Sequence, residues 1–156
     1  MRQISARAGV DAALVNRYFG SKQALFAEVM NGALQIRQHL TADRAGFGRR
    51  VAHAFITQRP PANTFRPMLV MIRSAPNPEA SSILKRCIEE DIAKPLVAWL
   101  GGVDAAARAG LILAELTGFF VLRYVIGLEP LAEANDAFLT EHLAAGLQKY
   151  VEAGAA

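Results

Sequence analysis

The sequence predicts an all-α chain, a helix-turn-helix head followed by a helical-bundle body, and three observations carry that expectation. Apolar residues recur at three- and four-residue steps along nearly the whole chain. No run alternates with period two over enough residues to propose a sheet. Gly and Pro fall between the periodic runs, where they end helices. The 156 residues are 53% hydrophobic and 20% charged, a composition that supports a real core and excludes a disordered chain.

In the first short helix Ile4 and Ala8 are expected to face inward, Gly9 gives the sharp turn, and Val10 fills the angle to the next helix. Leu14, Val15, Tyr18 and Phe19 hold that second helix against the core. Ser21 is the N-cap of a third, long helix in which Leu25, Phe26, Val29, Met30, Ala33, Leu34 and Ile36 to Arg37 continue the stripe. Thr41 to Gly48 reads as a break. Val51, Phe55 and Ile56 then belong to a shorter helix closed by Arg59-Pro60-Pro61. Asn63 or Thr64 caps a helix through Met68, Leu69, Met71 and Ile72 that ends at the turn of residues 75–78.

A helix over Glu79–Leu100 buries Ile83, Leu84, Cys87, Ile88, Leu96 and Trp99, and Pro95 inside it predicts a kink near Asp91 to Lys94. Asp104 caps a helix from Ala105 to about Leu128, apolar on almost every face, which Glu129-Pro130 stops. The last helix, from about Glu133 to Glu152, puts Phe138, Leu139, His142, Leu143, Gly146, Leu147 and Tyr150 on one stripe. The tail Ala153 to Ala156 is expected to fray. Residues 1–40 form the head with its connecting helix, and residues 41–156 form the body.

Charge is unevenly spread. Residues 1–50 hold eight Lys/Arg against three Asp/Glu, a net +5, whereas the remainder holds nine against eleven, a net −2. A basic head on a mildly acidic body points to a polyanion partner at one end, although a solvated basic face has the same signature. The single Cys87 excludes an internal disulfide framework and fits a reducing, cytoplasmic setting. Leu111 to Ile126 is interrupted by Glu115 and Arg123 and falls short of the roughly 20 uninterrupted apolar residues of a membrane span. The N-terminus lacks the apolar core of a secretory signal. No membrane partner is expected.

A helix apolar all round needs cover on all sides. In a chain this small a second copy supplies it most simply, which predicts a homodimer built on the last two helices of each subunit. Leu116, Phe120, Arg123 and Tyr124 of the penultimate helix, with Phe138, His142, Leu143 and Leu147 of the last, are the expected interface. A monomer that wraps this helix in its own shorter ones is the alternative.

A ligand cavity is expected among the body helices, walled by Phe65, Met68, Met71, Ile72, Cys87, Trp99 and Phe119, with Met suited to a permissive pocket. Plain core packing accounts for the same residues. Arg73 and Glu115 are its candidate polar groups, because a charge on an apolar helix needs a partner or a ligand; Glu115 paired with Arg123 across the dimer is equally economical. Glu89, Glu90 and Asp91 read as a solvated face rather than a metal site, and His142 as a satisfied interface histidine. Three scattered histidines (His39, His53, His142) and one cysteine offer no metal-ligand spacing, so neither metal nor cofactor is expected. No Ser/His/Asp order, paired carboxylates or Gly-rich phosphate loop supports an enzyme.

The head carries the most legible chemistry. The inward set leaves Arg2, Gln3, Asp11, Ala12, Ala13, Asn16 and Arg17 outward. Small residues at 12 and 13 admit close approach to a major groove, and Asn16 and Arg17 are long enough to reach base edges or phosphates. Lys22 with the free backbone donors after Ser21 makes a phosphate clamp. Residues 4–30, ISARAGVDAALVNRYFGSKQALFAEVM, resemble the DNA-binding signature of the TetR (tetracycline repressor) family through the Ala-Gly-Val turn, the Tyr-Phe pair and the Gly-Ser-Lys corner. Residues 108–134 are similar to the dimerising region of actinobacterial-type members.

The resemblance implies a homodimeric repressor that holds double-stranded operator DNA and releases it when a small-molecule inducer enters the body. It places Arg2, Asp11, Ala12, Ala13, Asn16, Arg17, Tyr18 and Lys22 where the family contacts DNA, while Leu14 and Asn16 depart from its commoner Thr and Tyr. The family also has a helix before this motif, whereas Met1 lies inside the second helix; the reading frame is expected to start upstream. Without that helix Ile4, Leu25 and Val29 lose their cover and the recognition unit frays, which leaves open a rival: a small-molecule-binding helical module without effective DNA binding.

Overall fold

The computed structural model describes residues 1–34, 36–57 and 65–154, and among them every regular element is helical. Three helices make the head: α1 (Arg2–Ala8), α2 (Ala12–Phe19) and α3 (Lys22–Met30). The described residues of the body form α4 (Phe47–Thr57), α5 (Pro67–Ser74), α6 (Pro78–Ile88), α7 (Lys94–Leu100), α8 (Ala105–Phe120), α9 (Glu129–Ala132) and α10 (Asp136–Glu152).

Helix starts follow capping chemistry. Ser21, Asn77 and Asn135 each accept from the backbone N–H of the first turn, at 3.0 Å from Ala24, 2.9 Å from Ala80 and 2.8 Å from Ala137. Asp104 is a different case. It occupies the cap position of α8 but sits at φ 53° with no capping bond from its side chain, so the expected Asp104 cap is not made. A left-handed residue aims its side chain away from the first-turn amides.

Several helix boundaries differ from the sequence expectation. The third helix stops at Met30 because Gly32 adopts φ 66°, and Leu34 and Ile36 reach the core from a turn and a short 3₁₀ segment (Arg37–His39) rather than from a continuing helix. α4 starts at Phe47, inside the expected break. Where a kink before Pro95 is expected, the helix takes a π-helical turn over Glu89–Ala93, and Pro95 falls in the first turn of α7. A second π-helical stretch, Val121–Ile126, prolongs α8 to the left-handed Gly127, and Glu129-Pro130 opens α9 instead of ending α8. The Arg59-Pro60-Pro61 stop, the Asn63 or Thr64 cap and Ala155–Ala156 lie outside the described residues.

The core is formed by α4, α7, α8 and α10. Phe47, Ile56, Leu96, Ile112 and Leu147 are fully enclosed, each stabilising the fold by roughly 1.5–3 kcal/mol relative to exposure. α4 and α10 pack most closely, and Gly48 makes that approach possible: a Cβ there would lie 2.2 Å from the Ala144 carbonyl oxygen. Gly48 N–H donates to Gln148 Oε1 at 3.1 Å, and Gln148 Nε2 donates back to the Arg44 carbonyl at 3.1 Å.

Among the described residues two arginines are buried. Arg108 donates to the carbonyls of Val103 and Tyr150, both at 2.9 Å, and of Gly101, tying the α7–α8 turn to the last turn of α10. Arg123 pairs with Asp136 of its own chain at 2.5 Å and lies against the Phe119 and Tyr124 rings. Arg123, which the alternative account pairs with Glu115 across two subunits, is thus already engaged within its own chain. By length and composition Ala105–Ile126 is apolar enough to cross a membrane, although the sequence reading rejected a span on the Glu115 and Arg123 interruptions. Here Ile112 and Leu116 pack into the core.

Candidate DNA-binding head and ligand cavity

α1 and α2 meet at a corner set by Gly9 at φ 66°, where Val10 N–H donates to the Ser5 carbonyl at 3.0 Å. The residues inside the corner are Ser5 and Val15. Ile4, Ala8, Val10 and Leu14, expected to fill it, stay exposed, because two helices this short bury little beyond Ser5 and Val15. Tyr18 and Phe19 also face out.

The outward set is largely exposed. Arg2, Gln3, Ala13, Asn16, Arg17 and Lys22 are exposed, and Ala12 is half-buried. Asp11 is exposed too, but its carboxylate accepts from Ala13 N–H at 2.7 Å and so serves as the cap of α2. Tyr18 is 75% exposed and projects beyond the α2 surface. Lys22 begins α3 beside the Ser21 cap, where first-turn N–H groups face solvent.

Among the described residues three contacts join head to body. Met30 packs with Leu84 and Cys87 of α6 in a small second core, flanked by Phe26, Val70, Met71 and Ile83. Gln23 Nε2 donates to Glu79 Oε2 at 2.7 Å. A further bond runs from Gly32 N–H to Asp91 Oδ2 at 2.9 Å. Asp91 thus leaves the acidic run, in which Glu89 pairs with Lys85 at 3.9 Å and Glu90 with Lys94 at 2.5 Å on the surface.

A cavity of about 720 Å³ opens in the body, within the size range of small-molecule sites. The Ala33–His39 segment crosses one side. Val51, Ala54 and Phe55 come from α4, and Arg66, Pro67, Met68 and Met71 from the start of α5. Ile88 just precedes the π-helical turn and Ile92 lies within it, and α8 with its extension adds Leu113, Ala114, Leu116, Thr117, Phe120 and Tyr124. Burial, with the Arg50 charge beside it, lowers the pKa of His39 and favours the neutral ring.

Of the nine expected pocket residues, Met68 and Met71 line this cavity. Phe65 is exposed, and Ile72 is half-buried outside it. Arg73 lies in a separate, smaller hollow with Lys22 and Gln23. Cys87 turns into the small second core, one helical step from Ile88, and burial raises its thiol pKa. Trp99 stacks on Phe47 at 4.9 Å, and its Nε1 donates to the Thr41 carbonyl at 2.8 Å. Glu115 faces Gly146 of α10, where burial raises its pKa against the opposing Tyr150 hydrogen bond and Lys149 charge. Phe119 packs between Phe55 and Tyr124. The missed wall residues Leu34, Ile36 and His39 are brought in by the Gly32 turn, which three- and four-residue spacing does not reveal.

The expected interface set divides similarly. Leu116, Arg123, Leu143 and Leu147 are buried inside the subunit, and Leu116, Phe120 and Tyr124 line the cavity. Phe138 and His142 remain outside, ring on ring at 4.0 Å, with His142 Nδ1 2.8 Å from the Phe138 carbonyl. The outward stripe of α8 and its extension is instead Ala107, Leu111, Ala114, Gly118, Leu122 and Val125. Among the described residues no group of three His, Cys, Asp or Glu side chains gathers in a metal-binding arrangement.

An exposed helix-turn-helix with basic residues, set on a helical body, defines a DNA-binding transcription regulator. Residues 1–29 match the family of bacterial regulatory proteins, tetR family, and residues 45–151 match the tetracyclin repressor-like C-terminal domain. Among solved structures the chain is similar to the crystal structure of a TetR-family regulator from Streptomyces coelicolor A3, with 26% identity and a TM-score of 0.60 over 97% of this chain and 82% of that one. Among curated proteins none matches it. The chain belongs to the TetR family of transcription regulators.

Proposed function

We propose that this regulator is a repressor that binds operator DNA as a homodimer and releases it when a small molecule fills the body cavity. One observation carries the ligand response: the cavity wall and the attachment of the head are the same stretch of helix. Ile88 and Ile92 face the cavity, while Asp91 between them holds the Gly32 N–H at the end of the head. A ligand that displaces the two isoleucines shifts the carboxylate that fixes the hinge. The bound state is favoured only as far as ligand affinity differs between the two head positions.

DNA contact falls to Arg2, Gln3, Ala12, Ala13, Asn16, Arg17, Tyr18 and Lys22, with Asp11 shaping α2. The exposed α8 stripe, together with Phe138 and His142, is the self-complementary face of the dimer, which sets two heads at half-sites about one helical turn apart. In an electrophoretic shift with DNA flanking its own gene, the wild type is expected to give a discrete complex that weakens steeply with salt. Arg17→Ala weakens it by about 1–3 kcal/mol. Asp91→Ala keeps the complex but loses its release by ligand; release unchanged in that variant would remove the hinge from the mechanism.

The exposed Ile4, Val10, Leu14 and Val29 favour the rival reading, a ligand-binding module with an ineffective head. No shift with any genomic fragment, alongside ligand binding, would establish it.

A further inference from the structure

We infer that the end of α5 is a second contact to duplex DNA, in which Arg73 of the body grips a backbone phosphate beside the one held by Lys22 of the head. The inference rests on the head being the reader of DNA. Three contacts fix how α6 runs along α3: Gln23 meets Glu79 at 2.7 Å, Met30 packs with Leu84 and Cys87, and Gly32 meets Asp91 at 2.9 Å. Residue numbers rise together on both helices, so they are parallel and their starts lie level. α5 feeds into that start through the turn at residues 75–77, where Asn77 N–H donates to the Ser74 carbonyl at 3.0 Å. α5 thus runs from the cavity wall at Pro67 and Met68 to the level of Lys22.

Lys22, Gln23, Arg73, Asn77 and Glu79 line one hollow of about 280 Å³ where head and body meet. Lys22 and Arg73 are exposed. Glu79 is the acid of that hollow, and its Oε2 accepts from Gln23 Nε2. Two cations, one from the head and one from the body, therefore share the hollow with one engaged carboxylate. The rest of the body is unlike this corner: residues 51–156 hold nine Lys/Arg against eleven Asp/Glu, a balance that repels a polyanion. A DNA strand offers consecutive phosphates, and a guanidinium fork takes two oxygens of one of them. With Lys22 on one phosphate, Arg73 is placed for a neighbour. Such a contact fixes where the body sits on the duplex and carries no base information.

The test is fluorescence anisotropy of the full chain on two labelled duplexes, the DNA flanking its own gene and a scrambled fragment of equal length, across roughly 50 to 300 mM KCl. Arg73→Gln is expected to weaken binding to both duplexes by the same factor, about three- to tenfold at low salt, and to reduce the salt slope by about one per bound subunit. Arg73→Lys restores most of both. Arg86→Gln removes the same charge from α6 about 12 Å beyond its start and leaves the slope unchanged. A slope untouched in Arg73→Gln, or an equal fall in Arg86→Gln, overturns the contact while DNA binding by the head stands. A loss confined to the own-gene duplex also overturns it, since a phosphate contact is blind to sequence. Failure of the wild type to bind either duplex overturns the DNA-binding reading and this inference with it.

Discussion

Head and body are built from the same element and stabilised very differently. In the body, α4, α7, α8 and α10 enclose whole side chains: Phe47, Ile56, Leu96, Ile112 and Leu147 are all at 0% exposure. In the head α1 and α2 bury only Ser5 and Val15, and the largest enclosed side chain, Met30, is enclosed by Leu84 and Cys87 of the body. The body therefore has its own core, and the head borrows one. A reader of DNA grooves gains from this arrangement, because an element held by few contacts is reoriented at small free-energy cost. The same thin attachment makes Asp91 and Gly32 consequential: one hydrogen bond weighs more where little else holds.

The largest expected effect tests this contrast directly. Phe47→Ala should destabilise the whole chain by about 3–5 kcal/mol, since the ring is fully enclosed and stacked on Trp99. Val15→Ala in the head should cost only about 1.5 kcal/mol, the worth of two lost methyl carbons. Chemical denaturation followed by circular dichroism measures both. Equal losses would mean that the head possesses a core of its own, and the contrast would fail.

Glycines sharpen it. Gly48→Ala drives a methyl to 2.2 Å from a backbone oxygen of α10, which cannot move without separating two helices, and a loss of about 1–3 kcal/mol is expected. Gly9→Ala meets nothing within 4 Å. Its cost, about 1–2 kcal/mol, is conformational, from holding a Cβ in the left-handed region. Thermal denaturation should lower the melting temperature of the Gly48 variant, whereas the Gly9 variant should mainly lose amide protection in the head. Global unfolding at a lower temperature in both would show that the two regions unfold as one.

Legibility in the sequence follows the same division. The head's corner depends on local spacing, so Gly9, the Ser21 cap and the outward Arg17 could be read from neighbours in the chain. That the α-helix is interrupted before Pro95 was legible for the same reason, because a missing donor and a ring clash act within one turn. What hid was tertiary. Leu34 and Ile36 fit the periodicity of a long helix, and only the left-handed Gly32 turns them across the cavity. Cys87 and Ile88 are adjacent in sequence, and which of them faces the cavity depends on where α3 lies. Leu116 and Leu147 satisfied an interface pattern and a core pattern equally well, since both patterns are apolar stripes at the same spacing.

The smallest effect concerns a charge that the body tolerates and the head never meets. Glu115 lies in α8 against Gly146, and its pKa is raised first by burial, with the Tyr150 hydrogen bond and the Lys149 charge opposing. Its folded pKa therefore lies above its unfolded one, so the folded chain holds the proton more tightly. Stability from this group is present below the ordinary carboxylate range and is lost as pH rises through the interval between the unfolded and folded values. Glu115→Gln removes the ionisation while keeping size and hydrogen-bonding capacity. The variant should be slightly more stable than the wild type at neutral pH, and the two denaturation midpoints should converge as pH falls through that interval. Convergence in the opposite direction, toward high pH, would mean that the Tyr150 and Lys149 contacts outweigh burial, and that Glu115 stabilises the α8–α10 contact as an ion.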